Sequence, residues 1–410
     1  MSEWMSEEMS HHISTGDIAI RLDLIGKVRG TDQAEKFFDS LPDTMRNVMV
    51  YGSLLNCYAH NKNLEKAEST MQTMRDLSFP MKTISYNVLM SLYVQLGKYD
   101  KLDVLMQEMR VKGIECDTYT YNIRLNAYAS SSDIEGMENV LNNMESDARI
   151  SVDWHSYVVA ANGYFKAGLT EKVSQMLNKA EQIVPGKSKW KAYEVFLSLY
   201  TKIGRKDEVY RIWKLYGNLR NFRNSGYLCM ISSLIKLDDI DGAQKILAEW
   251  ESGYTLYDAR VPNLMISAYC KCGLIAKAEA YTSSLIVRGV IKGPDAFTWN
   301  SLASGYQIDG RMVKAVEAMK NAILCSTAAW KPNNITLAAC IDYLKGEKNT
   351  EAAEELLRLL RDRGLLSTDV HERLAIYIRD RNLDASALDL IKGDNQTLDE
   401  EVQGANECQI

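Results

Sequence analysis

Lys166, Lys202, Lys236 and Lys271 recur at near-constant spacing, each close to the end of an apolar helical pattern. A single lysine is an ordinary solvated residue, but four on one ridge make a basic stripe suited to phosphates. No comparable constellation supports nucleophilic, metal or redox chemistry. The chain has no P-loop, G-x-S-x-G, H-E-x-x-H or zinc-deaminase signature. Its eight cysteines never form C-x-x-C, with Cys270-x-Cys272 the nearest approach, so neither a zinc site nor a disulfide framework emerges. They read as small apolar residues of helices in a reducing compartment. His155 near Asp153 is an acid–base pair by type, but both occupy ordinary capping positions ahead of a helix. No metal, cofactor or small-molecule substrate is expected, and the chain reads as non-enzymatic.

The second chemical signal is an amide. "SYNVLMSLYVQLG" (Ser85 to Gly97) returns 35 residues later as "TYNIRLNAYASSS" (Thr120 to Ser132), placing Asn87 and Asn122 alike, each after a tyrosine. Asn263 and Asn300 follow Pro262 and Trp299 in the same way. An asparagine at a helix start is often a cap or turn residue. Four at one repeat position, where packing does not call for them, point instead to a ligand.

The elements that must position these residues follow from periodicity. Tyr86, Leu89, Met90 and Tyr93 fall at i, i+3, i+4, i+7, and Leu102, Leu105, Met106 and Met109 do so again, predicting two amphipathic helices separated at Gly97. Such helices are too short to stand alone, and one pair cannot bury both stripes, so neighbouring copies must stack. Successive units run 48–82, 83–117, 118–153, 154–189, 190–223, 224–258, 259–295, 296–333 and 334–368. Glycine recurs between the helices (Gly97, Gly168, Gly204, Gly273, Gly310), and alanine within the second (Ala67, Ala243, Ala278, Ala315, Ala353). The first suits a positive-φ helix stop, the second close helix approach.

Composition agrees. With 46% hydrophobic residues, 25% charged and only six prolines in 410, the chain has ample core and favours helices. Residues 393–410 carry five acids and no Lys or Arg, so the formal charge of −6 belongs almost wholly to this tail and the first 392 residues stand at −1. A near-neutral body neither announces nor excludes an RNA partner. No run reaches the roughly 18 apolar residues of a membrane span, and no membrane association is expected.

"SYNVLMSLYVQLGKYDKLDVLMQEMRVKGIECD" (Ser85 to Asp117) and "TYNIRLNAYASSSDIEGMENVLNNMES" (Thr120 to Ser146) resemble pentatricopeptide repeats of the P class, as found in plant organellar proteins. The resemblance spans nine units; the tetratricopeptide alternative, a peptide binder, lacks its Trp-x-x-Leu-Gly signature here. It implies an all-α fold, a right-handed α-solenoid superhelix of helix-turn-helix repeats of about 35 residues. First helices would line a concave surface on which each repeat reads one base of single-stranded RNA.

In the family the fifth and last residues of a unit read the base and the second packs against it. Carried over, the base-reading pairs are Asn87 with Asp117, Asn122 with Asp153, Asn263 with Asp295, and Asn300 with Asn333, implying a pyrimidine-favouring ligand. Ile84, Tyr119, Arg260 and Phe297 would stack on bases, and Lys166, Lys202, Lys236 and Lys271 would contact phosphates. Gly52 with Lys82, Val158 with Lys189, Glu194 with Arg223, Leu228 with Asp258 and Ala338 with Thr368 do not fit the usual code. The family implies no cofactor and non-catalytic work on mitochondrial transcripts: stability, processing, splicing or translation. A protein-interaction scaffold, for example on an organellar ribosome, is the alternative.

Residues 1–47 read as a degenerate or truncated N-terminal repeat, 48–368 as nine repeats, 369–392 as capping helices and 393–410 as a disordered acidic tail. "MSEWMSEEM" resembles the end of a second helix, as though the chain opened in mid-repeat, and it lacks the Arg-rich character of a transit peptide.

Overall fold

The computed structural model describes residues 14–148, 150–219, 223–253, 256–327, 330–380 and 385–392. The tail 393–410 and the "MSEWMSEEM" segment lie outside the described residues. The chain forms two compact units, Met1–Ser188 and Lys189–Ile410.

The first unit holds α1 (Thr15–Arg29), α2 (Thr31–Asp39), α3 (Val48–His60), α4 (Leu64–Asp76), α5 (Thr83–Gln95), α6 (Asp100–Val111), α7 (Thr118–Ser130), α8 (Ile134–Ser146), α9 (Trp154–Lys166) and α10 (Thr170–Ile183). The second holds α11 (Lys189–Lys202), α12 (Lys206–Gly217), α13 (Asn224–Lys236), α14 (Ile240–Gly253), α15 (Arg260–Lys271), α16 (Ile275–Val287), α17 (Ala296–Ile308), α18 (Met312–Leu324), α19 (Asn334–Gly346), α20 (Thr350–Asp362), α21 (Thr368–Arg379) and α22 (Ala387–Lys392). The fold is all-α: no strand occurs among the described residues. No described helix is long and apolar enough to cross a membrane.

Each repeat is a first helix, a tight turn and a second helix. α5 buries Tyr86, Leu89, Met90 and Tyr93, and α6 buries Leu102, Leu105 and Met109. First helices touch their own second helix and the first helix of the next repeat, as α1, α3, α5 and α7 do in one unit and α11, α13, α15 and α17 in the other. Helices of 12 to 14 residues are marginal alone in water, so this layer-to-layer burial sustains them. Ala67, Ala243, Ala278, Ala315 and Ala353 are completely buried, where a larger side chain would force the paired helices apart.

The fifteenth position of all nine units has positive φ, between 54° and 77°, whatever residue occupies it. Glycine fills it at 97, 168, 204, 273 and 310, but Lys62, Ser132, Asp238 and Lys348 adopt the same conformation. Stacking thus imposes the left-handed turn on side chains that carry a Cβ penalty there.

A second recurring device joins three helices. Tyr93 on α5 donates its hydroxyl to Glu68 on α4 (2.8 Å), Lys101 on α6 pairs with the same carboxylate (2.5 Å), and the Lys101 ammonium lies 5.4 Å from the Tyr93 ring centroid. Tyr164, Glu138 and Lys172 repeat it at 2.9, 2.6 and 5.2 Å, and Tyr306, Glu279 and Lys314 at 2.7, 3.2 and 5.3 Å. Tyr58, Glu35 and Lys66 form a fourth set. Each pair is partly solvated, so no single one is a large contribution to stability. Each set ties the second helix of one repeat to both helices of the next.

Glu108 anchors a denser version, receiving both arms of Arg75 (2.9 and 2.7 Å), Lys112 (2.8 Å) and the Tyr86 hydroxyl (2.9 Å). Burial alone would raise its pKa, but these donors hold it down at about 2.

Gly97→Ala is expected to cost about 1 kcal/mol in urea titration, while Lys62→Gly should be neutral or stabilising by up to about 1 kcal/mol. Equal losses in both would contradict a shared left-handed turn. Because the Glu108 pKa is depressed on folding, its contribution is full above the unfolded value near 4.5 and is lost as pH falls towards about 2. Glu108→Gln should therefore lose about 2 kcal/mol less stability than the parent between pH 5 and pH 2.5, after discounting for solvent. Parallel acid-unfolding curves would refute this.

Candidate nucleic-acid interface

In four repeats the last residue caps the next first helix with its side chain. Asp117 accepts from Thr120 N (2.8 Å), Asp153 from Ser156 N (2.9 Å), Asp295 from Thr298 N (2.8 Å) and Asn333 from Thr336 N (3.1 Å). Such caps are each worth about 1 kcal/mol. They are this fold's helix starters whatever else they do.

The paired asparagine sits one turn into the preceding first helix and reaches this cap. Asn87 Nδ2 donates to Asp117 Oδ1 (3.1 Å) and Asn263 Nδ2 to Asp295 Oδ2 (2.9 Å). Asn122 Nδ2 makes only a long contact with Asp153 Oδ1 (3.5 Å). Asn300 is held differently, its Oδ1 accepting from the Asn333 backbone N–H (3.1 Å). A carboxylate only accepts, so the amide nitrogen must face it and the carbonyl is directed elsewhere. Asn87 and Asn263 carbonyls accept from the Thr120 and Thr298 hydroxyls (2.8 and 2.6 Å). Asn122 Oδ1 is buried with no partner.

Burial corrects the view that packing makes no use of these asparagines. Asn87 is only 3% exposed and belongs to the inter-repeat contact, whereas Asn122, Asn263 and Asn300 are half-buried. The Asp117 carboxyl pKa is lowered: burial opposes this, and hydrogen bonds from Thr120 and Asn87 outweigh it.

Beside each pair the second position projects outward. Ile84, Tyr119 and Phe297 are 69%, 59% and 59% exposed. Arg260 is exposed too but bonded to Asp258 (2.7 Å). Met49 and Ile335, at the same position of repeats outside the usual code, are 53% and 59% exposed. Sequence reasoning passed over both because it followed the asparagines, although the same count reaches them.

Lys166, Lys202, Lys236 and Lys271 are exposed and close the helices α9, α11, α13 and α15. There they also complement the negative helix terminus, an ordinary role for a cation. Lys271 lies two turns beyond Asn263 on α15, about 12 Å along the axis. Lys166 belongs to the first unit and the other three to the second.

The remaining counted pairs are not brought together as caps. Lys82 and Arg223 precede their helices without a side-chain cap, and Lys189 is itself helical. Thr368 opens α21, whose cap is Ser367, one residue earlier than the count places it. Arg223 lies over the Trp190 ring at 4.1 Å, and Glu194 is buried, accepting from Tyr216 (3.0 Å) and Ser225 (2.7 Å). Asp153 spends its carboxylate on the α9 cap beside His155. No group of three or more His, Cys, Asp or Glu side chains suited to a metal occurs among the described residues. A groove of about 570 Å³ in the first unit is lined by Glu68, Arg75, Lys101 and Glu108, which pair with one another.

Family models match at residues 43–96 (pentatricopeptide repeat domain), 81–130 (PPR repeat family), and 119–147, 261–290 and 297–321 (PPR repeat). A mitochondrial pentatricopeptide repeat-containing protein of Arabidopsis thaliana is 47% identical over 369 residues, 90% of this chain and 75% of the relative. The Arabidopsis large ribosomal subunit protein mL101 is 36% identical over 366 residues, 88% and 74% of the two chains. The crystal structure of maize PPR10 superposes with a TM-score of 0.55 at 17% identity, over 99% of this chain and 61% of that one. PPR10 in complex with an 18-nt psaJ RNA element gives 0.56 at 18% identity, over 92% of this chain and 57% of that one. Identity and coverage together with the fold place the chain in the pentatricopeptide repeat family.

Proposed function

We propose that the chain binds single-stranded RNA without catalysing a reaction on it, reading pyrimidines at its Asn–Asp and Asn–Asn pairs. The observation that carries this is the recurrence, in adjacent repeats, of an exposed apolar side chain beside a hydrogen-bonding pair: Ile84 with Asn87 and Asp117, then Tyr119 with Asn122 and Asp153. A base needs an apolar face to stack on and fixed donors and acceptors along its edge. Asn122 Oδ1 has no partner to lose, so its carboxamide can turn to a donor such as a pyrimidine N–H at the cost of only its long Nδ2 contact with Asp153. Phe297 with Asn300 and Asn333 offers a further such element, and the four lysines supply phosphate contacts.

Mitochondrial relatives favour a mitochondrial transcript as the target and support for its stability, processing, splicing or translation as the outcome. The relative mL101 favours a second reading, a ribosome-bound scaffold without base recognition. Cosedimentation with mitochondrial ribosomes in high salt, with no RNA selectivity, would establish it instead.

Selection from a random RNA pool tests the first reading. Adjacent pyrimidines should be enriched at low salt, and the enrichment should vanish in Asn87→Ala/Asn122→Ala; no enrichment in the parent would sink it. Asn122→Thr should shift one selected base towards guanine, as the family code implies, and an unchanged motif would refute the register. Lys236→Ala/Lys271→Ala should reduce the slope of log K against log salt by about 1.4, near 0.7 per phosphate contact.

A further inference from the structure

The reading asparagines differ in how firmly they are held, and the difference traces to a residue that no base can reach. Thr120 and Thr298 occupy the third position of the repeat that follows each Asn–Asp pair, and both are buried, at 0% and 3% exposure. Each hydroxyl sits between two oxygens, the asparagine carbonyl and the cap carboxylate. Thr298 Oγ1 is 2.6 Å from Asn263 Oδ1 and 2.9 Å from Asp295 Oδ1, and Thr120 Oγ1 is 2.8 Å from both Asn87 Oδ1 and Asp117 Oδ1. One hydroxyl proton shared by the two oxygens clasps the pair.

Ser156 fills the corresponding place behind Asn122 and Asp153 and is equally buried. Its Oγ bonds only Asp153 (3.0 Å), leaving Asn122 Oδ1 orphaned and Nδ2 at 3.5 Å from the acid. Threonine carries a methyl group that restricts its rotamer, and serine does not. Two repeats with threonine thus have a carboxamide fixed at both ends, and the one with serine holds it only by the long Nδ2 contact with Asp153.

We propose that Thr120 and Thr298 are positioning residues that set base selectivity in the preceding repeat, and that Ser156 makes the repeat 118–153 a permissive reader. This rests on the reading of the Asn–Asp pairs as base readers. A carboxamide fixed at both ends presents its remaining N–H and carbonyl lone pair in one orientation, and only a base edge matching that order pairs well. A carboxamide free to rotate accepts either order. Selectivity in one repeat is then controlled from the first turn of its neighbour.

The test compares Thr298→Val, Thr298→Ser and Ser156→Thr. Val removes the hydroxyl at nearly constant volume and leaves the Asp295 cap on the backbone N–H in place; Ser keeps a hydroxyl. In RNA selection, Thr298→Val should lower base preference about fivefold at the single nucleotide read by Asn263, as expected for one lost hydrogen bond. Thr298→Ser should retain part of it, and Ser156→Thr should sharpen preference at the nucleotide read by Asn122. A purely structural role would weaken binding evenly across positions, so a motif unchanged in shape in Thr298→Val would overturn the proposal. Selectively 15N-asparagine-labelled protein gives a readout without RNA. The Asn263 side-chain amide pair should move towards free-carboxamide shifts in Thr298→Val and move less far in Thr298→Ser. An unmoved signal overturns the clasp. A parent that selects no motif while this signal does move overturns the RNA reading alone.

Discussion

The N-cap joins helix formation to recognition in this chain. A first helix cannot start well unless its leading N–H groups find an acceptor; in three repeats that carboxylate is also the partner of the preceding repeat's asparagine, and in a fourth the cap residue Asn333 bonds Asn300 through its backbone N–H. Asp117 therefore serves two repeats at once, starting α7 and orienting Asn87 on α5. Changes at these caps act on folding and on the candidate interface together.

Much of the fold was legible because the repeat writes the same demands nine times over. The i, i+3, i+4, i+7 pattern around Tyr86, the glycine at 97 and the alanine at 67 each have a single physical reason. The Tyr–Glu–Lys sets were not found that way. Lys101 follows Tyr93 by eight residues, as Lys66 follows Tyr58, but the glutamate precedes its tyrosine by 23 to 27 because the loop between repeats varies. A fixed-offset count cannot see a partner whose offset changes. Likewise, Lys62 and Asp238 give no hint of positive φ, which neighbouring repeats impose on them.

The candidate interface was legible in residue type and not in state. Asn87 and Asn122 read alike, yet one is buried and bonded at both ends of its carboxamide, and the other keeps an orphan carbonyl. What separates them is threonine or serine 33 or 34 residues away, in contact only because the next repeat folds back onto the last. The exposure of the second position came only from the family resemblance, since by residue type alone Ile84 and Phe297 look like core residues until the helix face is known.

The repeats outside the code show which demands are separable. Removing one partner of a buried hydrogen bond strands the other, whereas replacing both can be nearly neutral. Val158 and Ala338 are buried apolar residues at the asparagine position, and the units carrying Gly52 and Val158 end in Lys82 and Lys189, neither of them an acid. In these units amide and acid are missing together, and the helix pair persists on its turn and on the fully buried Ala67 or Val173 at the alanine position. The repeat 224–258 lost only half, keeping Asp258 opposite Leu228. There the stranded acid is satisfied by another route, with the Arg260 backbone at 3.1 Å and its guanidinium at 2.7 Å. An arginine at the second position thus compensates for the missing asparagine, and its side chain is held by the acid at the place where the preceding repeat's asparagine would otherwise bond.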